Sequence, residues 1–170
     1  MITRTISTKG YSLLLPVLIC SFLFIFGCSS SKSISGASPE QIRQAIQSDR
    51  WIFVAQSANP QGGRSQQIDT RYEVRFSRDT VKCYMPYFGR SFSGAGAFST
   101  ASPLDFRSTD LSIEKEELKN GGTRLKVKPR DISSVQFMIF ELFESGASSL
   151  SVTLTDRTPI SFNGYIKALN

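Results

Sequence analysis

The sequence predicts an all-β domain with one short helix in front, and three observations carry that prediction. Apolar and polar side chains alternate over several short stretches, most plainly at residues 72–76. Turn-forming groups recur between those stretches, and Asn120-Gly121-Gly122 is the sharpest of them. No run of helical periodicity follows the first strand to supply the crossovers that parallel strands need. Repeated hairpins favour antiparallel order. A long curved sheet closing into a barrel or half-barrel fits them first, and a two-sheet β-sandwich second.

The chain has 170 residues, and its front reads as an address. Arg4 and Lys9 precede an apolar run at 11–26, broken only by Ser12, Pro16 and Ser21. A basic start, a hydrophobic run and a small residue at the end make a secretory signal. As a membrane span the run is short and lacks a basic stop-transfer flank. Gly27-Cys28 resembles a bacterial lipobox, although Phe26 stands where a smaller residue is commoner. That resemblance implies that Cys28 is lipidated and becomes the mature N-terminus. Two or three acyl chains would hold it firmly in a membrane, where one chain alone binds only marginally. The expected organisation is a signal peptide at 1–27, a Ser- and Gly-rich flexible tether at 28–38 and a single β-rich domain at 39–170. The expected location is the cell envelope, anchored to the inner or outer membrane and either periplasmic or surface-exposed.

Charge and cysteine content narrow the chemistry. There are 20 basic and 14 acidic residues and no histidine. Once Arg4 and Lys9 leave with the signal, 18 basic residues remain, and they are dispersed. Dispersed mixed charge and an export signal argue against nucleic acid as a partner. The densest cluster, Arg124, Lys126, Lys128 and Arg130, alternates with Leu125 and Val127 and reads as the wet face of a strand. Glu114, Glu116 and Glu117 on the preceding strand are placed to neutralise it. Without histidine there are no histidine-based triads and few zinc sites. Cys20 leaves with the signal, so Cys83 remains as a lone thiol, expected to be a small buried hydrophobe rather than a disulfide half. Asp69, Glu73, Asp79, Asp105 and Asp110 all have turn or wet-face explanations. No catalytic residue, metal ligand or cofactor site is assigned, and the reading points away from an enzyme.

Along the domain, Ser38 caps a helix over 39–50 with Pro39 in its first turn, and Ile42, Ala45 and Ile46 share its apolar face. Residues 51–57 form the first strand, and Asn59-Pro60-Gln61-Gly62-Gly63 a turn or loop. The central hairpin follows. Val74 and Phe76 point inward with Tyr72, the chain reverses at 77–80, and Val81, Cys83 and Met85 resume the apolar face. Pro86 ends that ladder, and Gly89 lets the chain turn sharply under Tyr87 and Phe88. Residues 91–102 are small and glycine-rich, with Phe92 and Phe98 as exceptions; Gly94 and Gly96 lack the βαβ context of a phosphate loop. Further strands are expected at 103–107, at 110–118 with Leu111 and Ile113 inward, at 123–128, and at 135–143 as the buried central strand. Glu141 is expected either at that strand's solvated end or paired with an arginine in a cavity. Strands centred on Val152 and Phe162 close the fold, with Gly164 marking a bend or bulge.

The helix leading into Trp51-Ile52-Phe53-Val54-Ala55, the central Tyr72-x-Val74 with Asp79-Thr80-Val81, the run Met85-Pro86-Tyr87-Phe88-Gly89-Arg90 and the closing Ile160-Ser161-Phe162-Asn163-Gly164-Tyr165 together resemble the DUF4251 family of Bacteroidetes envelope lipoproteins. The resemblance spans residues 39–169. It implies a lipid-anchored β domain and assigns no activity. Two functions are carried forward. One is a binding module whose barrel cavity or mouth, near Tyr84, Tyr87, Phe88, Arg90 and Phe98, holds an apolar or amphipathic molecule such as a lipid or cell-wall fragment. The other is a structural lipoprotein that contacts envelope proteins through a surface patch or edge strand.

Overall fold

The protein is represented by a computed structural model that describes residues 36–92, 102–119 and 121–169. The signal, Cys28, most of the tether, and Phe98 in the glycine-rich stretch lie outside these residues.

Helix α1 (Pro39–Gln47) opens with a capping box. The Gln41 amide donates to Ser38 Oγ at 3.3 Å, and the Ser38 amide donates to Gln41 Oε1 at 2.9 Å. Its buried face is Ile42, Ala45 and Ile46, as the spacing requires. The chain turns at Asp49, with φ +55°, and its carbonyl accepts from the Arg78 amide at 2.8 Å.

The strands are β1 (Arg50–Pro60), β2 (Gln66–Gln67), β3 (Glu73–Ser77), β4 (Thr80–Tyr84), β5 (Asp105–Ser108), β6 (Leu111–Glu117), β7 (Gly122–Pro129), β8 (Val135–Phe143), β9 (Ala147–Leu154) and β10 (Ile160–Ala168). All form one antiparallel sheet in the order β5-β4-β3-β1-β10-β9-β8-β7-β6, with β2 paired beside β1. The two ends of that order, β5 and β6, are joined by Thr109 and Asp110 alone. A sheet whose first and last strands are two residues apart must curl back on itself, and the result is a nearly closed barrel.

The seam is pinned at both ends. Ser108 Oγ donates to Asp131 Oδ1, the Thr109 amide donates to Asp131 Oδ2 at 3.2 Å, and the Arg130 amide donates to the Asp110 carbonyl at 2.8 Å. The Ser108 hydroxyl holds the Asp131 carboxyl below its ordinary range. Further along β6, Lys115 Nζ reaches Asp49 at 2.9 Å and the Ile46 carbonyl at 3.4 Å.

The interior is filled by side chains. Trp51 stacks on Phe76 at 4.9 Å and meets Phe140 edge-on at 5.0 Å; Phe53 meets Phe140 at 6.2 Å. These rings are fully buried, as are Phe162, Leu125 and Leu150. Each is worth about 1.5–3 kcal/mol of transfer free energy. Cys83 lies in the same core, and burial pushes its thiol pKa far up.

Several expectations need correction. The first strand continues to Pro60, because its far end pairs with Ile160 and Ser161 of β10. Asn120 of the expected turn lies outside the described residues; around it Glu117 pairs with Thr123, and the Leu118 amide donates to the Gly122 carbonyl at 2.7 Å. Ile113 shares the inward face of Val127, opposite it, but is exposed there, because β6 is an edge strand and most of its length has a neighbour on one side only. Residues 135–143 do form a strand, but β10 holds the middle of the sheet, and Phe137, Ile139 and Phe143 on β8 are only half-buried. Gly164 does face a bulge: the β1–β10 register shifts between Ala55 and Ser57. A Cβ at Gly164 would sit 2.0 Å from the Val54 carbonyl oxygen.

Candidate ligand surface

The end of the barrel where β4 finishes and β10 begins is strapped by the segment after Tyr84. The Met85 amide donates to the Leu104 carbonyl at 3.0 Å, and Ser102 Oγ donates to the Met85 carbonyl at 2.6 Å. Met85 and Leu104 are buried beneath. The strap then crosses to the loop between β9 and β10. The Tyr87 hydroxyl donates to the Thr158 carbonyl at 2.8 Å and lies 3.1 Å from Thr158 Oγ1. The Arg90 amide donates to Thr158 Oγ1 at 3.0 Å, and the Thr158 amide donates back to the Arg90 carbonyl at 2.9 Å. The Phe92 amide donates to the Asp156 carbonyl at 2.7 Å. The Arg157 guanidinium lies over the Tyr87 ring, 5.5 Å from its centroid. Gly89 is required here, because a Cβ would fall 2.1 Å from the Tyr87 hydroxyl and 2.4 Å from Thr158 Oγ1.

The residues singled out from the sequence therefore occupy different positions. Tyr87 is half-buried, and its hydroxyl staples the strap to the β9–β10 loop. Tyr84 projects from the outer face of β4, 42% exposed, and stacks on Tyr72 with ring centroids 5.5 Å apart. Phe88 is 41% exposed and Arg90 is exposed on the strap. Phe98 is outside the described residues. Sequence reading missed Phe92, the most exposed large apolar residue described at 71%, and missed Thr158 and Arg157 as the strap's anchors. The signal for Phe92 was present: a lone aromatic in a run of Ser, Gly and Ala has no alternating partner to bury it.

Two residues of the basic cluster on β7, Arg124 and Lys126, are neutralised across strands. Lys126 pairs with Glu114 at 3.1 Å, and Arg124 pairs with Glu141 at 2.9 Å and Glu116 at 3.3 Å. Glu141 thus meets its arginine on the outer surface. Beside this cluster, a cavity of about 320 Å³ lies between α1 and the β6–β7 hairpin, lined by Arg43, Ile46, Lys115, Leu118, Leu142 and Glu144, among others. Arg43 and Glu144 meet at its rim at 2.9 Å, and that hydrogen bond holds the Glu144 carboxyl below its ordinary range. Among the described residues no cluster of His, Cys, Asp or Glu could hold a metal ion.

Residues 35–166 match the profile of DUF4251, a domain of unknown function. Among solved structures, the chain is similar to a DUF4251 family protein from Bacteroides eggerthii DSM 20697, solved by crystallography at 1.95 Å. The match has a TM-score of 0.55 at 10% identity and covers 80% of this chain and 89% of that one. At that identity the likeness speaks to the fold alone. No curated protein matches the chain.

Proposed function

Because the chain belongs to the DUF4251 family, whose description assigns no activity, we propose its function from its own surface: it is an envelope lipoprotein domain that binds an amphipathic molecule, a lipid or cell-wall fragment, at the strapped mouth of the barrel. Cys28 is the lipidated residue in this reading, and residues 28–38 are the tether. One observation carries it. Phe88 and Phe92 stand exposed on the strap at one end of the barrel, with Tyr84 exposed where β4 runs into it, on a backbone fixed by six hydrogen bonds, and Arg90 is exposed on the same strap. Exposed apolar groups on a rigid frame beside a charge suit a ligand with a greasy part and an anionic part. The barrel interior is filled by Trp51, Phe53, Phe140 and Phe162, which favours the mouth over the cavity as the site.

The test is a fluorescence titration with a dansyl-labelled fatty acid, on the full chain in neutral detergent. Saturable binding that is lost in the double variant F88A/F92A is expected. Equal binding by that variant refutes the mouth as the site. A second reading, contact with envelope proteins through an edge, rests on β6, whose far side is unpaired along most of seven residues. Its run of Glu114, Lys115, Glu116 and Glu117 is the kind of charge that discourages edge-to-edge pairing, so the mouth is preferred.

A further inference from the structure

The two halves of the barrel's outer face treat their cations differently. On β6, β7 and β8 two cations face acids, Glu114 opposite Lys126, and Glu116 opposite Arg124 opposite Glu141, while Lys128 stands opposite Ser112. On β10, β1, β3, β4 and β5 one row reads Lys167, Ile52, Arg75, Lys82 and Arg107, each directly opposite the next. Arg75 is paired with Glu73 on its own strand. Among the described residues, no carboxylate lies within ion-pair distance of Lys82 or Arg107. Like charges directly opposite destabilise a strand pair, and here three cations stand on adjacent strands about 4.8 Å apart. The next row along reads Tyr165, Val54, Glu73, Tyr84 and Asp105. Tyr84 is backed by Tyr72, and the Lys167 ammonium lies 5.3 Å from the centroid of the Tyr165 ring.

We propose that this face docks an acidic polysaccharide lying across the strands. On β3, β4 and β5 the row offers one positive group per strand, a spacing comparable with the repeat of a sugar chain. The neighbouring row offers what a sugar needs besides charge: aromatic rings for the apolar faces of pyranoses, and the carboxylates of Glu73 and Asp105 to accept from hydroxyls. An anionic bilayer would be repelled by those same carboxylates. An acidic polysaccharide presents its carboxylates to Arg75, Lys82 and Arg107 and its hydroxyls to the acids. The cost of leaving Lys82 and Arg107 without a carboxylate is then offset when the polymer is bound. Tyr84 borders both surfaces, but Phe88 and Phe92 take no part in this one, so a variant at those two positions separates this inference from the mouth reading.

The experiment is calorimetric titration of the full chain in neutral detergent with three probes: oligogalacturonate, neutral maltodextrin of equal length, and micelles carrying phosphatidylglycerol. Oligogalacturonate should bind, and more weakly as salt rises. Lys82→Glu should weaken it at least about tenfold through loss of one cation and gain of one repulsion. The same variant should melt a few degrees higher, because alternation is restored between Arg75 and Arg107. Lys82→Gln should fall between, and F88A/F92A should bind as the parent does. The proposal is overturned if K82E binds within about twofold of the parent, if maltodextrin or the lipid micelles bind as well as oligogalacturonate, or if none of the three binds.

Discussion

Replacing Gly164 with alanine should be among the most damaging single-methyl changes available to this domain. The added Cβ would lie 2.0 Å from the Val54 carbonyl oxygen, 2.9 Å from its carbonyl carbon and 3.0 Å from Ala55 Cα. All three are main-chain atoms, so no side chain can rotate away. Ordinary contact needs about 3.5 Å, so the two strands must part by roughly 1.5 Å. Gly164 pairs with Ala55 beside the bulge in the middle of the sheet. Parting them there sacrifices about two ladder hydrogen bonds at about 1 kcal/mol each, and the forced shift adds about 1–3 kcal/mol. A loss of about 3–5 kcal/mol corresponds to a fall in Tm of about 10–20 °C for a domain of this size. Circular dichroism melts of parent and G164A measure it. A shift smaller than about 3 °C would show that β1 and β10 do not approach as described, and the bulge argument would be lost.

Two further expectations concern pH and reactivity. Burial pushes the Cys83 thiol up, so its contribution to stability is complete below the unfolded thiol's pKa and is lost as pH rises above it. Denaturant midpoints should therefore decline above about pH 8.5, by up to about 1.4 kcal/mol per pH unit, and Cys83→Ala should remove that slope. Iodoacetamide should leave Cys83 untouched until the domain unfolds. On the acid side, Asp69, Asp131 and Glu144 have folded-state pKa values lowered, by hydrogen bonds from Arg71, Ser108 and Arg43 respectively. Their contribution is present above the ordinary carboxylate pKa and is lost as pH falls below about 4, so melts should weaken there and be nearly flat from pH 5.5 to about 8, since the chain has no histidine.

Much of the fold is legible because alternation and turn chemistry agree locally. Val74, Phe76, Val81 and Cys83 carry the hairpin's inward face in sequence and in space. Ser38 and Gln41 mark the helix start, and Gly164 marks the bulge. What is not legible depends on long-range pairing. Nothing local says that β1 and β10 are neighbours, so neither the middle of the sheet nor the exposure of Ile113 at its edge could be read. The site divides in the same way. Exposed aromatics near Pro86 and Gly89 are visible as residue types, but the strap exists only because Thr158 lies against Tyr87 across 71 residues. The cation row is invisible for the same reason: Arg75, Lys82 and Arg107 are scattered in sequence, and only the register sets them side by side.

The central claim is that a rigid aromatic mouth holds an amphipathic molecule. The most direct measurement is a native mass spectrum of the protein purified from its native cells, with small-molecule extraction from the same sample. A discrete extra mass, released as an amphiphile in near-equal molar amount and absent from the F88A/F92A variant, is the predicted result. A spectrum showing only the bare chain, with nothing extracted above the background of the purification, contradicts it.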